Sequence, residues 1–463
     1  MGGFFMRGPV KHFRTGIVIR AINHQSIIIM KSIIAIAAAI CIGSLSSNAQ
    51  TFGHLQKEQV INALGQKLAN DYYSEKEGKR LRDFLQNQSK KRVYDKISDG
   101  PAFASALTQH LQDQAKDRHL RVEFSPDVLP PDNRTEIMSI PESEKKDYGN
   151  MLRRTNYGIR KVEVLRGNIG YIDFEAFTDP EFASDTYVGM MQYLSHTEAL
   201  IIDLRHCGGS RSPHAVPFLL SYFFSEPVKL EEIYWRKADA VTQSWTSAVV
   251  PGEKYLNKPV YVLTSNNTFS GAEAIVAALK KYKRATIIGQ NTGGGSHPGG
   301  IVRLSDHFQA YISVGKIAGG EHSIGDWETD GIRPDIAINT KLALIEAQQL
   351  AMKNSITATD EEIWKNALAQ WSAELEAQKP VFKTVRFELT GSAKAKEVQV
   401  AGTFSEWAPV RMEKVGENWI ASVECETGKQ RYKYIVDGKW ILDPDNAITE
   451  SHDGNTDSIM SIE

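Results

Sequence analysis

Apolar positions along the chain follow three regimes. In "EQVINALGQKLANDYY" (58–73), Val60, Ile61, Leu64, Leu68 and Tyr72 recur at the spacing of one helix face. "PAFASALTQHLQDQAKDRHLRVEF" (101–124) keeps that spacing and then alternates at "HLRVEF", which predicts a helix feeding a strand. Pro130-Pro131-Asp132-Asn133 marks a loop. Residues 50–125 therefore read as a small helical domain. From 156 to 345 the pattern changes to short β-branched runs, "GNIGYIDFEAF", "ALIIDLR", "PVYVLTS" and "ATIIGQ", with helical stretches such as "EAIVAALKKYK" between some of them. That alternation predicts a largely parallel sheet covered by helices, with any ligand beyond the carboxyl ends of the strands. Residues 341–378 read as a closing helix and a charged helical linker. From Val381 onward, "TVRFELT", "EVQVAGTF", "WIASVECE" and "QRYKYIVDG" are short alternating strands bounded by turn residues, the pattern of an all-β sandwich.

The N-terminus adds an address. "MKSIIAIAAAICIGSLSSNAQ" (30–50) joins a short positive region at Lys31 to the apolar run Ile33–Ile42, then to Ser47-Asn48-Ala49. Small residues at the first and last of those three positions predict an export signal cleaved near Ala49. The run is too short for a comfortable membrane span, so the mature protein is expected to have none. Residues 1–29 carry basic residues and no acid, as in an extended signal n-region or an upstream start. The protein would work in the periplasm or be secreted. A net charge of −2 in 463 residues gives no reason to expect a nucleic-acid partner. After cleavage Cys207 and Cys425 remain; they could pair but make no disulfide framework. No His/Cys cluster has zinc spacing, so neither metal nor cofactor is expected.

Chemistry concentrates at two strand exits. In "VLTSNNTFSGAE" (262–273), Ser270 precedes a glycine where a helix can start. A helix cap is the ordinary role for such a serine. A nucleophile is the other, and it needs a base, a group to orient the base, and N–H donors for an oxyanion. Gly208-Gly209, after "IIDLRHC", and Gly271 can supply such donors. Phosphate binding is disfavoured by the missing P-loop lysine. Asp203 and Arg205 read as a structural ion pair.

"NYGIRKVEVLRGNIGYIDFEAF", "IIDLRHCGGS", "VLTSNNTFSGAEA", "IIGQNTGGGSHPG" and "DWETDGIRPDI" come in an order that resembles the C-terminal processing peptidase superfamily. That group includes tail-specific proteases, the tricorn core protease and the interphotoreceptor retinoid-binding protein. The resemblance spans roughly 60–350 and implies a crotonase-like (ClpP-like) α/β core with serine peptidase activity and Ser270 as nucleophile. The tail-specific branch uses a lysine in a "TFGKG"-like segment. Here the matching stretch is Thr292-Gly293-Gly294-Gly295, with glycine at the lysine position. Lys280, Lys281 and Lys283 read as a solvated helix face. The retinoid-binding-protein-like and tricorn-like branches carry a histidine that "DRHLRVEF" matches at His119, and an orienting carboxylate that matches Glu328. The resemblance thus implies Ser270, His119 and Glu328 as the catalytic set, with an oxyanion hole of Gly208, Gly209 and Gly271. Gly208 would shape the turn. His206 and His297 could line the cleft, while His110, His214 and His322 read as surface or packing residues. Fewer than 50 residues separate His119 from Gly167, below the usual lower limit for a domain, so no PDZ domain is expected.

Residues 383–463 resemble the glycogen-recognition domain of AMP-activated protein kinase β subunits and carbohydrate-binding module family 48, with an immunoglobulin-like fold implied. Trp407, Lys433 and Trp440 match sugar-contacting positions, and Trp419 a core position. Asp457 stands where binding members carry asparagine, which removes an amide donor. The expectation is a multidomain exported serine endopeptidase: signal region 1–49, helical bundle 50–125, peptidase core 126–350, helical linker 351–380 and β-sandwich 381–463. Its substrate would be a peptide or protein, with α-glucan as a second ligand. A non-catalytic carrier of hydrophobic ligands, or a polysaccharide-surface adaptor with a vestigial core, stay open as alternatives.

Overall fold

A six-stranded sheet organises the middle of the chain. Its order is β12 (Ile336–Ala337), β8 (Thr286–Gly289), β7 (Val260–Thr264), β4 (Ala199–Asp203), β3 (Ile169–Phe174) and β2 (Ile159–Leu165). All neighbours are parallel except the β2–β3 edge hairpin. The computed structural model describes residues 53–132, 140–210, 212–318, 325–452 and 454–463. The export-signal region and His322 lie outside the described residues.

The central strands are apolar throughout because both faces are covered. Side chains alternate between two cores. Leu200, Ile202, Val260 and Val262 join one with the helices Pro180–Leu194, Ala215–Leu220 and Gly271–Lys281. Ala199, Ile201, Tyr261 and Leu263 join the other, with Ala343, Ala347, Ala351, Met352 and Leu368. Those last residues belong to the helices Thr340–Ala358 and Glu362–Ala377. The stretch expected to be a linker is therefore part of the core: Met352 and Leu368 are fully buried against the sheet.

The helical domain consists of the helices His54–Asp71, Glu75–Lys90 and Gly100–Ala115. It is stitched to the core by β1 (Arg121–Phe124), which pairs antiparallel with β10 (Phe308–Ser313), itself paired with β9 (Gly299–Arg303). Helix and strand residues share one apolar cluster, in which Leu64, Leu107 and Leu120 meet Phe308 and Ile312. A further sheet, β5 (Lys229–Trp235) with β6 (Ala240–Trp245) and β11 (Gly315–Ile317), was not legible as a unit in the sequence.

The C-terminal region is sheet-rich. Phe382–Leu389 pairs with Asn418–Glu426 in one sheet, and Val398–Gly402 with Gly428–Val436 in the other. Phe387, Val400, Trp419 and Tyr434 fill the space between them. Cys207 and Cys425 are both free and buried, so the disulfide left open by the sequence does not form. Among the described residues no helix is long and apolar enough to cross a membrane.

Candidate active site

Two neighbouring strands, β4 and β7, end at one place. The loop after β4 is held between two segments: Gly208 N–H donates to Glu175 O (3.0 Å), Phe177 N–H to Gly209 O (2.8 Å) and Phe269 N–H to Cys207 O (3.0 Å). Gly209 takes φ of +107°, which favours glycine, and a Cβ there would fall 2.8 Å from Gly271 N. Gly208 has open space around its Cβ position and its N–H is already engaged. The turn-shaping glycine is therefore Gly209, and Gly208 is not a free oxyanion donor. The Gly209 N–H favours the thiolate of the buried Cys207, against a larger rise from burial. The Gly271 N–H is one of the four that a helix start leaves without an intrahelical partner.

Ser270 begins the helix Gly271–Lys281 with φ 54° and ψ −122°. An ordinary capping serine sits in the extended region. A non-glycine residue held at positive φ is strained, and such strain persists where the surroundings over-determine it. The surroundings are visible. Glu273, fully buried, accepts from Ser270 N (2.9 Å), Thr292 Oγ1 (2.6 Å), Gly294 N (2.8 Å) and Gly295 N (2.7 Å). Burial raises its carboxyl above the usual range, and these donors work against that rise. One side chain thus locks the serine turn to the glycine-rich loop.

His119 comes from the helical domain, just before β1. Its ring lies 4.4 Å from the Phe269 ring and stacks on Tyr311 at 5.5 Å. Both ring nitrogens are buried and without a hydrogen-bond partner. Arg118, beside it, docks the segment: its Nη1 donates to Gly293 O (2.8 Å) and Asn266 O (3.3 Å), and its guanidinium lies 5.2 Å from the Phe269 ring centre. A cleft of about 760 Å³ is lined by both His119 and Ser270, with Gly208, Gly209, Glu175 and Tyr311.

Gly295, at the position of the tail-specific lysine, is filled from outside. A Cβ there would fall 2.3 Å from the Phe269 ring and 2.7 Å from His119 Cε1. The Phe269 ring and the imidazole together occupy the room that a side chain at 295 would need.

The carboxylate nearest His119 is Asp117, which sequence reasoning missed. Asp117 Oδ1 is 3.6 Å from His119 Nδ1 and accepts the His119 backbone N–H at 2.9 Å. Its Oδ2 accepts from Tyr72 OH (3.0 Å) and Ser313 Oγ (2.7 Å). Burial opposes its charge, yet the contacts with His119 and Ser313 hold it below the usual range. An acid two residues before the histidine, in "DRH", was the available signal. Glu328 lies in the same cluster but makes no hydrogen bond to His119. Its Oε2 accepts from Ser296 N (2.6 Å) and sits 3.4 Å from His297 Nδ1. Burial, then the charge of Asp117, raises the Glu328 carboxyl. His297 is buried beside it; burial disfavours its proton, but Asp326, Glu328 and Asp117 raise its pKa. His206 is half-exposed and faces Glu406, 3.8 Å away. Asp203 and Arg205 form the expected ion pair (2.5 Å), closed by Tyr171 OH on Asp203 at 2.8 Å.

In the C-terminal region, Trp407 and Trp440 stand 6.2 Å apart, and Trp440 is exposed. Asp457 is buried and lies 3.3 Å from Lys433 Nζ and 3.8 Å from Arg431 Nη1.

Residues 168–338 match peptidase family S41, and residues 51–165 match the N-terminal domain of that family in eukaryotic IRBP. The middle of the chain is thus similar to S41 peptidases, and the segment before it to the N-terminal domain of their IRBP-like members. Residues 385–463 match the glycogen recognition site of AMP-activated protein kinase. The mouse (Mus musculus) 5'-AMP-activated protein kinase subunit beta-1 is 28% identical over 136 residues, 29% of this chain and 47% of that protein. The chain thus spans about half the length of the curated relatives it matches. Among solved structures, a lipoprotein from Streptococcus agalactiae overlaps with a TM-score of 0.42 at 17% identity, covering 64% of this chain and 96% of its own. The photosystem II D1 C-terminal processing protease overlaps with a TM-score of 0.36 at 14% identity, covering 62% and 94%.

Proposed function

We propose that this protein is an exported serine peptidase of the S41 kind, with Ser270 as nucleophile and His119 as base. The observation that carries the reading is a strained serine and a histidine with two unpartnered nitrogens in one cleft. Ser270 Oγ attacks the scissile carbonyl carbon while His119 takes its proton. The oxyanion accepts from the N–H groups of Gly209 and Gly271. Collapse breaks the C–N bond, and His119 returns the proton to the leaving amine; a water then hydrolyses the acyl-enzyme with the same base. Asp117 steadies the imidazolium at close range, and Glu328 adds negative charge behind it. The crotonase-like and immunoglobulin-like descriptions of the two folds belong to this reading. A fluorophosphonate probe should label the wild type, lose all labelling in Ser270→Ala and most of it in His119→Ala. Absence of labelling in freshly folded wild type sinks the peptidase. N-terminal sequencing of the exported form should begin at Gln50.

A second ligand follows from the paired tryptophans. Trp407 and Trp440 offer aromatic faces on which pyranose rings can stack. Lys433 is turned toward Asp457, so we assign α-glucan binding chiefly to the tryptophans. Starch pull-down should lose the protein in Trp407→Ala and Trp440→Ala; equal retention of all three removes the assignment.

A further inference from the structure

Behind His119 three residues from distant segments converge. Asp117, His297 and Glu328 each offer a ligand atom, and these atoms all lie within 4.8 Å of one another. We propose that they form a site for a divalent transition cation of the Zn²⁺ class, and that loading it arrests the peptidase.

The spacing fits. His297 Nδ1 and Glu328 Oε2 are 3.4 Å apart. Two ligands each about 2.1 Å from a tetrahedral ion lie about 3.4 Å from each other. His297 Nδ1 is buried and has no hydrogen-bond partner; Glu328 Oε2 accepts from Ser296, while Oε1 of the same carboxylate has no partner. Asp117 accepts three hydrogen bonds, which leaves one of a carboxylate's roughly four lone-pair directions. The outer contacts have the form seen around metal ligands. His297 turns its other nitrogen toward Asp326 (Nε2–Oδ2 3.8 Å), Tyr72 and Ser313 hold Asp117, and the Ser296 N–H holds Glu328. The charge also balances. The buried Asp117, the partly buried Glu328 and a neutral imidazole carry −2, which a dication neutralises. Imidazole with carboxylates suits zinc, copper or nickel better than magnesium. The ion would reach the site past His119, which lines the cleft. It would then place +2 beside the imidazole and engage the two carboxylates that face it. His119 would lose Asp117, the carboxylate 3.6 Å from its Nδ1, as the group that steadies its ring.

The binding half of this proposal stands alone; the arrest rests on the peptidase reading. The test uses the mature full chain, stripped with a chelator and titrated with ZnCl₂ by calorimetry. One ion should bind. Affinity should fall at least tenfold in His297→Asn and in Glu328→Gln, and also in Asp326→Asn, whose side chain orients rather than ligates. Co²⁺ should give a visible absorption band that His297→Asn abolishes. Near-UV circular dichroism checks that each variant is folded, and Asp326→Asn keeps the test valid if His297→Asn is not. In parallel, fluorophosphonate labelling of Ser270 should slow at least tenfold with saturating Zn²⁺, recover with chelator and ignore Mg²⁺. No saturable single-ion binding, or binding unchanged in all three variants, overturns the site. Binding without any labelling in chelator sustains the site and removes the peptidase. Labelling unaffected by bound Zn²⁺ overturns the arrest.

Discussion

Gly295→Ala tests whether His119 is the base. The added Cβ would fall 2.3 Å from Phe269 and 2.7 Å from His119 Cε1. Non-bonded carbons rest roughly 3.5–4.0 Å apart, so the rings must retreat by about 1 Å. The backbone cannot yield instead. Gly295 N–H is held by Glu273 at 2.7 Å and its carbonyl by Trp327 Nε1 at 3.2 Å. Overpacking of this kind costs about 1–3 kcal/mol. The functional loss should be larger than that figure suggests, since about 1 Å of misplacement can lower a rate roughly 100-fold. The assay is the second-order rate of fluorophosphonate labelling, set beside thermal unfolding. Gly189→Ala is the control, because nothing lies within 4 Å of its Cβ position in the helix Pro180–Leu194. The expected result is about a 100-fold slower Gly295→Ala with a modest drop in stability, and Gly189→Ala with unchanged labelling and equal or slightly higher stability. Wild-type labelling in a measurably destabilised Gly295→Ala would mean that the rings moved without consequence, and His119 would cease to be the base.

Arg118→Ala removes the clamp on Gly293 and Asn266, yet Arg118 is exposed; labelling should fall about tenfold or more while stability changes by less than about 1 kcal/mol. An equal fractional loss of both would show a merely structural arginine. Glu273→Gln sets amide protons against donors from Ser270, Thr292, Gly294 and Gly295, so chemical denaturation should show a loss of about 2–4 kcal/mol, accompanied by slower labelling. A variant as stable as wild type would contradict the locking role of this carboxylate. Burial pushes Glu231 up to about 7, so the folded protein holds a proton that the unfolded chain has released. Stability from this group is present below the ordinary glutamate value and is lost as pH rises through about 7, by up to about 3 kcal/mol. Melting curves of Glu231→Gln should lack that decline; an identical pH profile in both proteins would exclude Glu231 as its source.

The parts of the fold that were legible are those written in local periodicity. Strands β3, β4, β7 and β8 are β-branched runs, and burial on both faces explains why they do not alternate. The helices 340–358 and 362–377 were legible as helices but not as the sheet's cover, because scattered charges mask the few residues, Ala347, Met352 and Leu368, that make the contact. Ser270 was legible as a candidate because a turn follows an apolar strand. Its backbone strain was not, since nothing in "TFSGAE" states a dihedral angle. Asp117, Glu273 and His297 each also have partners far away in sequence (Tyr72 and Ser313; Thr292, Gly294 and Gly295; Asp326 and Glu328), and a motif read along the chain carries no distances.

The same limit explains how a histidine from the helical domain comes to line one cleft with Ser270, 151 residues later in the chain. β1 follows His119 by two residues and pairs with β10 in fixed register, Arg121 opposite Tyr311 and Phe124 opposite Phe308. Register in a half-buried strand resists slippage, because a one-residue shift would turn Val122 and its neighbours to the wrong face. Tyr311, opposite the start of β1, is also the ring on which His119 stacks. The domain boundary in the sequence is thus a continuous sheet in the molecule. Glycine at 295 completes the logic. A side chain there would collide first with the Phe269 ring and then with His119, so residue 295 has room for a larger side chain only if both rings move. The glycine at 295 and the packing of Phe269 against His119, separate observations along the chain, are one steric fact in the fold.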